Sequence, residues 1–227
     1  MFNFFTRELL NEEKGRYLDL SPIFPPNIKA FFLVDIEIEN FLKKKNLNPQ
    51  KICRLKQIHS NLIVKDKDGV EGDGIYTSSK DIAITIKVAD CVPILISAEK
   101  GKKIIVLHSG WKGTYLQIAE KALSLFEPED CDALWIGPSI RSCCYEVPKE
   151  RCENFIKKFG KSNGILFEES RLDLPVINCE MFKSKGIPKE KIYIDGRCTC
   201  CDKEIFASFR RDKEKAKRMV LLALMTA

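Results

Sequence analysis

Two short apolar runs separated by a tight turn constrain the fold of this chain more than any other stretch. Residues 93–96 and 104–107 are apolar, and residues 99–102 (Glu-Lys-Gly-Lys) lie between them. This pattern predicts a β-hairpin. In an antiparallel hairpin centred on that turn, facing residues have numbers that sum to about 201. We therefore expect Cys91 and His108 to lie together at the open end of the hairpin.

The chain has two histidines, and the second one also follows a strand-like run. His59 lies between the apolar runs 52–58 and 62–65, which predicts a position at a strand end or turn. A thiol beside two imidazoles predicts either a metal site or a Cys–His catalytic pair. Three protein ligands leave a fourth tetrahedral position for water, which is the arrangement of a catalytic zinc site.

Two aspartates and one lysine are further candidates for catalysis. Asp73 and Asp90 are expected to orient a ligand histidine or to move protons. The turn at residues 110–113 enters a helix next to the hairpin, so its backbone N–H groups and Lys112 are expected to hold an anion such as phosphate. Each residue also has a structural alternative, since an Asp after a glycine can simply make a turn.

Length and charge predict a globular domain that binds small molecules. The 227 residues fit a single domain, residues 1–227, with 44% hydrophobic and 31% charged residues. The net charge of +6 comes from lysines spread along the chain, without a dense basic run interleaved with aromatics. Nucleic-acid binding is therefore not expected, whereas attraction of anionic small molecules is.

The chain shows no targeting or membrane signal at the level of sequence. No window approaches the roughly 18 apolar residues that a membrane span needs. The apolar residues 1–5 are followed at once by Arg7 and Glu8 and have no basic segment before them, so a signal peptide is not expected. We expect cytoplasmic residence, and most of the ten cysteines are then expected to be thiols.

The cysteines near the end of the chain are interpreted as ordinary thiols. Cys198, Cys200 and Cys201 are taken to differ in spacing from the C-x-x-C pairs of zinc ribbons. A second structural metal site is therefore not expected.

Hydrophobic periodicity predicts an α+β fold with mixed sheets flanked by helices. An early strand is expected within residues 1–27. The other predicted strands cover residues 29–34, 52–58, 62–65, 82–88, 133–136 and 192–194. The predicted helices cover residues 36–45, 115–126 with a cap at Thr114, 148–160, 174–185 and 213–225. Strands outnumber helices and hairpins mix with crossovers, which favours α+β over a doubly wound parallel sheet.

Many separate motifs along residues 50–220 match one family in order and spacing. They are Lys56-Gln57-Ile58-His59, Gly72-Asp73-Gly74, Ala89-Asp90-Cys91-Val92-Pro93-Ile94-Leu95, His108-Ser109-Gly110-Trp111-Lys112-Gly113, Ile136-Gly137-Pro138-Ser139-Ile140, Cys144-Tyr145-Glu146-Val147, Leu172-Asp173-Leu174, Cys198-Thr199 and Ser208-Phe209-Arg210-Arg211. Together they resemble the laccase-domain family, once called multicopper polyphenol oxidases and now regarded as zinc-dependent purine nucleoside phosphorylases.

The resemblance implies a metal site, a reaction and a fold. It implies that His59, Cys91 and His108 are zinc ligands. It also implies phosphorolysis of adenosine, inosine, guanosine and methylthioadenosine, with adenosine deamination as a further activity. The family's mixed α/β scaffold is likened to that of bacterial toxin deamidases.

Substrate-binding residues are assigned within the hypothesis of a purine nucleoside enzyme. In phosphorolysis, phosphate attacks the ribose C1′ while the base leaves, and Lys112, Arg210 or Arg211 is expected to bind that phosphate. Gln57 is assigned to the substrate-binding set.

This sequence departs from the family pattern at several positions. Lys112 stands where the family usually has Arg, so the charge is kept but the bidentate fork is lost. Phe209 replaces a Tyr, and the Gly expected before Arg218 is absent. Cys200 and Cys201 are not part of the recognised pattern.

Three other functions stay open at the level of sequence. Copper-dependent phenol oxidation at a single copper is chemically possible, but two histidines are too few for a multicopper enzyme. A cysteine hydrolase or deamidase would use Cys91 as nucleophile and His108 as base. A metal-stapled scaffold without catalytic activity is the third, although structural zinc sites normally have four protein ligands.

Overall fold

The computed structural model describes residues 8, 10–12 and 15–226. Residues 1–5, on which the expectation about a signal peptide rests, lie outside this set. The strands are β1 (Leu10–Glu12), β2 (Gly15–Asp19), β3 (Ile28–Leu33), β4 (Lys51–Arg54), β5 (Ile63–Lys65), β6 (Gly74–Thr77), β7 (Ile82–Val88), β8 (Val92–Ala98), β9 (Lys103–Ser109), β10 (Cys131–Ile136), β11 (Ile165–Leu166), β12 (Arg171–Leu172), β13 (Ile192–Ile194) and β14 (Met219–Met225). The α-helices are α1 (Ile38–Lys44), α2 (Trp111–Tyr115), α3 (Ile118–Ala122), α4 (Lys149–Phe159), α5 (Leu174–Ser184) and α6 (Phe209–Asp212).

Two six-stranded sheets form the centre of the molecule. The first sheet has the order β1-β2-β3-β14-β7-β4, and the second has the order β13-β10-β8-β9-β6-β5. Most neighbours are antiparallel, but β4–β7, β5–β6 and β10–β13 are parallel. The prediction of an α+β fold with mixed sheets is therefore confirmed.

Three hydrophobic clusters show how the layers stack. The cluster between the sheets joins Phe32 and Leu221 of the first sheet to Leu95 and Trp135 of the second. A second cluster packs α3, α4 and α5 on the other face of the second sheet. A third packs α1 on the outer face of the first sheet through Phe41. Both faces of each sheet are thus covered, and side chains alternate between clusters along each strand.

The hairpin that the sequence predicts is present in the predicted register. Val92 pairs with Ser109 and Pro93 with His108, so paired residue numbers sum to 201. The Asp132 carboxylate accepts hydrogen bonds from the turn N–H groups of Lys100 (3.1 Å) and Gly101 (2.7 Å). This contact closes one end of the hairpin, and the other end is left for Cys91 and His108.

The predicted helix over residues 213–225 is wrong. The segment Met219–Met225 is strand β14, which pairs with β3 on one side and β7 on the other. Its seven residues are all apolar and all buried, because Leu221 packs between the sheets and Leu222 packs towards α1. A strand covered on both faces lacks the alternation that distinguishes a strand from a helix.

The predicted helix over residues 115–126 begins too late and is interrupted. Gly110 is the N-cap of α2, so Thr114 lies inside the helix and does not cap it. Gln117 then adopts a left-handed conformation (φ +58°) that separates α2 from α3. The buried Thr114 hydroxyl bonds instead to Ser109 (2.9 Å) and Asn178 (3.1 Å), which ties the start of α2 to β9 and α5.

The other predicted elements are close to the observed ones. β7 and β13 have the predicted bounds, and α4 ends where predicted, at Gly160 with φ +68°. The strand predicted over residues 52–58 ends at Arg54, so the chain before His59 is irregular. Within the described part of the chain, no helix has the length and apolar character needed to cross a membrane.

Candidate metal centre

Three elements bring a thiol and two imidazoles together. Cys91 lies between β7 and β8, and His108 lies near the end of β9 at the mouth of the hairpin. His59 comes from the loop between β4 and β5. One donor atom from each of the three lies within 4.8 Å of the others, and the two imidazole rings are 4.9 Å apart at 76°. The structure therefore places the three predicted ligands in one cluster.

Asp73 braces both histidines from beneath. Its Oδ1 lies 2.7 Å from His108 Nδ1 and accepts the His59 backbone N–H at 3.0 Å. Its Oδ2 accepts the Ser60 N–H at 2.6 Å and the Ser60 hydroxyl at 2.8 Å. With Nδ1 of His108 bonded to the carboxylate, Nε2 is left for a metal.

The backbone around His59 is shaped to bind that carboxylate. His59 has φ +58°, a left-handed conformation that is uncommon outside glycine. The N–H groups of Ile58, His59 and Ser60 consequently converge on Asp73. Successive N–H groups in such a turn form an anion-binding concavity, and here a side chain of the same chain fills it.

Asp73 is fully buried and stays ionised. Burial would raise the pKa of its carboxyl, but hydrogen bonds from His108 and Ser60 outweigh burial and hold the pKa at about 2. A carboxylate in this state orients its partners and is poorly suited to shuttle protons near neutral pH. Of the two roles predicted for Asp73, its contacts favour the orienting one.

Cys91 and His108 perturb each other. Burial would raise the pKa of the Cys91 thiol, but His108 and His59 bring it down to about 6. Burial would lower the pKa of His108, but the charge of Cys91 and the hydrogen bond with Asp73 raise it to about 9. The thiolate that results is the form of cysteine that binds metals.

Gly110 is required by the close approach of two ligands. A Cβ on Gly110 would lie 2.9 Å from Cys91 Sγ and 3.3 Å from His59 Cδ2. Glycine at the N-cap of α2 thus leaves space for the thiol and the imidazole. Two imidazoles and a thiolate are a donor set that both zinc and copper accept. The cluster can therefore hold a metal ion.

Comparisons with known proteins decide the family. A family model described as multi-copper polyphenol oxidoreductase laccase matches residues 34–226. The chain belongs to this family. The resemblance found in the sequence motifs is therefore confirmed.

Relatives and solved structures agree with this assignment. A protein from Aquifex aeolicus named purine nucleoside phosphorylase is 33% identical over 211 residues, which cover 89% of this chain and 97% of the relative. A protein of the same name from Borreliella burgdorferi is 33% identical over 206 residues, covering 84% and 85%. The crystal structure of YlmD from Geobacillus stearothermophilus has the same fold, with a TM-score of 0.85 at 22% identity over 98% of this chain and all of the other.

We call His59, Cys91 and His108 the three-donor cluster. Two grooves of the laccase-family chain meet there and share His59, Ala89, Cys91 and Phe209. We call the first the aromatic groove. Besides the residues that both grooves share, it is lined by Asp90, Trp111, Ile140, Tyr145, Leu174, Arg210 and Lys213. We call the second the basic groove. It is lined by Leu55, Gln57, Lys87, Phe209 and Arg218. Each groove has two cationic side chains, but only the aromatic groove adds the rings of Trp111 and Tyr145 to that of Phe209.

Asp90 lies beneath the aromatic groove and is held by the segment that carries Arg210. Its carboxylate accepts hydrogen bonds from Thr199 Oγ1 (2.6 Å), Ser208 Oγ (3.1 Å) and the Arg210 backbone N–H (2.6 Å). Asp90 also adopts φ +83°, next to Cys91. It positions α6 against the hairpin, and its predicted role in proton transfer stays a prediction.

The predicted phosphate-binding residues do not all lie at the grooves. Arg210 lines the aromatic groove, whereas Lys112 is exposed on α2, outside the residues that line either groove. Arg211 bonds to the carbonyl oxygens of Thr199 (3.0 Å) and Phe206 (2.8 Å) and thereby holds the loop before α6. The side-chain amide of Gln57, in the basic groove, pairs with the backbone of Lys87 in both directions at 2.8 Å.

Sequence reasoning missed several groove residues. Lys87 and Arg218 line the basic groove. Lys87 lies in β7 and Arg218 directly precedes β14, so only the pairing of these two strands brings the two cations together. Tyr145 lines the aromatic groove and lies in a recognised family motif, which was the available signal. Burial raises the pKa of Tyr145 to about 12, so its phenol stays protonated and can donate a hydrogen bond.

Proposed function

We propose that this chain is a zinc-dependent purine nucleoside phosphorylase. The observation that carries the proposal is the position of the three-donor cluster between an aromatic groove and a basic groove. A nucleoside has a flat base and phosphate is an anion, so the two substrates match the two grooves. The names of the relatives from Aquifex aeolicus and Borreliella burgdorferi support the same reaction.

The aromatic groove is the proposed site for the purine. Trp111, Tyr145 and Phe209 offer ring surfaces on which a base can stack. The Tyr145 phenol and the Arg210 guanidinium can donate hydrogen bonds to the base or ribose. Adenosine, inosine, guanosine and methylthioadenosine share the purine and ribose that these contacts recognise, and all four are proposed substrates.

The basic groove is the proposed site for phosphate. Lys87 and Arg218 supply positive charge there, and an arginine can bind phosphate through two parallel hydrogen bonds. In the reaction, a phosphate oxygen forms a bond to ribose C1′, the bond from C1′ to the purine nitrogen breaks, and the purine leaves with the electron pair and takes up a proton. The products are the free purine and ribose 1-phosphate.

Zinc held by His59, Cys91 and His108 would supply Lewis acidity where the two grooves meet. Asp73 keeps the His108 imidazole oriented and holds the backbone of His59, and Gly110 keeps room for the thiol. Asp90 holds the segment that carries Arg210 at the edge of the purine site. Adenosine deamination and a likeness to toxin deamidases stay predictions, as do Lys112 as a phosphate ligand and cytoplasmic residence.

The alternative functions are less well supported. A multicopper oxidase needs several coppers, and both histidines of this chain already lie in the one cluster. A cysteine hydrolase would use Cys91 and His108 without metal. Activity that persists after complete metal removal and is lost on alkylation of Cys91 would favour the hydrolase.

The experiment that tests the proposal combines metal analysis with product analysis. We expect purified protein to contain zinc and to convert adenosine to adenine and ribose 1-phosphate only when phosphate is present. Inosine formed without phosphate would indicate deamination. Zinc-loaded protein that forms neither product from any of the four nucleosides would contradict the proposal.

A matched pair of lysine and arginine variants tests the phosphate site. Arg218→Ala is expected to raise KM for phosphate by about tenfold to hundredfold and to leave KM for adenosine nearly unchanged, since one charged hydrogen-bonding group contributes about 1.5–3 kcal/mol. Lys102→Ala, at the far turn of the hairpin, removes the same charge away from the grooves and should leave both constants unchanged. Equal phosphate KM values in the two variants would remove Arg218 from the site.

A further inference from the structure

Four cysteines form a second cluster away from the hairpin. Cys143 and Cys144 lie between β10 and α4, and Cys198 and Cys201 lie between β13 and α6. Their four sulfur atoms all lie within 4.8 Å of one another. Cys201 Sγ is 3.3 Å from Cys144 Sγ and 3.5 Å from Cys143 Sγ. Two segments that are far apart in sequence thus contribute two thiols each.

The spacing of this cluster overturns the interpretation of the sequence. Cys198 and Cys201 are separated by two residues, which is the C-x-x-C spacing of zinc sites. Cys200 occupies one of the two intervening positions and is outside the cluster. The extra cysteine obscured the pair, and the partner cysteines lie more than fifty residues upstream. The absence of a second metal site was expected because the spacing of these cysteines was taken to differ from C-x-x-C, and that reason is wrong.

The distances between the sulfur atoms fit tetrahedral coordination. With a Zn–S bond of about 2.3 Å, ideal tetrahedral geometry places ligand sulfurs roughly 3.8 Å apart. The shortest distance between two of the sulfur atoms is 3.3 Å, and all of these distances are within 4.8 Å, so the observed range includes the ideal value. Small rotations of the side chains would equalise them around one ion.

The backbone near Cys198 also suits a thiolate. The Arg141 N–H donates to Cys198 Sγ at 3.5 Å. Backbone N–H groups of Cys200 and Cys201 also face this sulfur. Peptide N–H groups that donate to a cysteine sulfur are the outer-shell contacts expected around a metal-bound thiolate.

We propose that Cys143, Cys144, Cys198 and Cys201 bind a zinc ion at a structural site separate from the three-donor cluster. Four cysteine ligands fill the tetrahedral coordination shell and leave no position for substrate, so the site stabilises the fold. Thiolate ligands select zinc over the hard cations magnesium and calcium.

The position of this four-cysteine site indicates what it stabilises. It joins the segment before Tyr145 to the segment before Phe209 and Arg210, so it links two walls of the aromatic groove. The same two segments also meet where the Arg210 guanidinium donates to the carbonyl oxygens of Cys144 (3.4 Å) and Glu146 (3.0 Å). A zinc ion there would hold the groove walls together without touching the substrate.

Metal counting on the full chain tests the proposal. We expect wild-type protein, purified under reducing conditions and loaded with zinc, to contain about two zinc ions per chain by mass spectrometry, from one ion per cluster. Cys201→Ser and Cys143→Ser are each expected to lower this to about one. Cys200→Ser changes the neighbouring cysteine outside the cluster, and it should keep the wild-type content.

Two further measurements cover the case in which a cluster variant does not fold. Cobalt loading of wild-type protein should give the intense visible absorption of tetrahedral cobalt bound by four thiolates, and the Cys200→Ser spectrum should match it. The thiols of the four cysteines should resist alkylation until a chelator removes the metal. Zinc content that is the same in folded wild-type, Cys143→Ser and Cys201→Ser proteins would overturn the proposal, as would disulfides among these cysteines under reducing conditions.

Discussion

The three-donor cluster and the four-cysteine cluster are both groups of side chains that could hold a metal ion, but they are built differently. The first is built at the end of a hairpin, where the buried Asp73 bonds to the His108 imidazole and to the His59 backbone N–H. The second joins two loops, and Cys143 and Cys201 are exposed. The first leaves a coordination position free beside two grooves, whereas the second uses four protein ligands. The open position of the first cluster fits its proposed reactive role, and the four ligands of the second fit its proposed structural role.

The sharpest test of this comparison is removal of one ligand from the reactive cluster. His108→Ala should lower phosphorolysis by more than about 100-fold, because the metal loses a ligand and Asp73 loses its imidazole partner. Zinc content should fall to the one ion of the four-cysteine cluster. Circular dichroism would confirm that the variant is folded, and full activity in that folded variant would contradict the shared role of the cluster.

The next largest effect is expected from the brace beneath the ligands. Asp73→Asn should weaken zinc binding at the three-donor cluster by about 10–100-fold, which is typical for loss of a carboxylate behind a ligand histidine. Competition with a coloured chelator would measure it. Asp132→Asn is the matched control, since Asp132 also accepts turn N–H groups but lies at the far end of the hairpin. Equal zinc affinities in the two variants would argue against bracing by Asp73.

Loss of the four-cysteine site should change stability and leave the chemistry nearly intact. Zinc at 100 times its Kd stabilises the folded state by about 2.7 kcal/mol. For a chain of this size that corresponds to a Tm lower by about 5–10 °C in Cys201→Ser. Calorimetry with and without a chelator would measure it against Cys200→Ser. A drop in kcat at 25 °C as large as that of His108→Ala would contradict a purely structural role of the four-cysteine cluster.

The smallest effect tests the space around Cys91. Gly110→Ala should weaken metal binding about tenfold or less, because the new Cβ would lie 2.9 Å from the sulfur. Gly110 has φ −73°, so alanine adds no backbone strain there. Gly113→Ala, whose Cβ would have its nearest neighbour at 3.3 Å, is the comparison variant on the same helix. Metal affinity that falls equally in both would point to a general effect on α2.

The sequence predicts the reactive cluster better than the four-cysteine cluster, for a physical reason. Cys91 and His108 are brought together by a local hairpin, whose register follows from the turn and the apolar runs. Cys143 and Cys201 meet only because β10 and β13 are neighbours in the second sheet. A parallel pairing of that kind depends on the whole fold. The local sign, the C-x-x-C spacing of Cys198 and Cys201, was obscured by Cys200.

The same distinction explains the errors in the fold. β7 alternates in sequence and was predicted, whereas β14 is apolar throughout and was mistaken for a helix. The break between α2 and α3 comes from one left-handed residue, Gln117, which no glycine or proline announces. Lys87 and Arg218 were missed because only the assembled sheet brings them to the basic groove.

The central position of β14 has a consequence for how the chain folds during synthesis. β14 completes the first sheet between β3 and β7. Its pairing with β3 joins residues about 190 positions apart in the sequence, which is a strongly non-local contact. Until the ribosome has made residues 219–225, the facing edges of β3 and β7 have no neighbour. Nascent chains halted before this point would expose two unpaired edges and the apolar surface around Phe32, which favours aggregation or capture by chaperones.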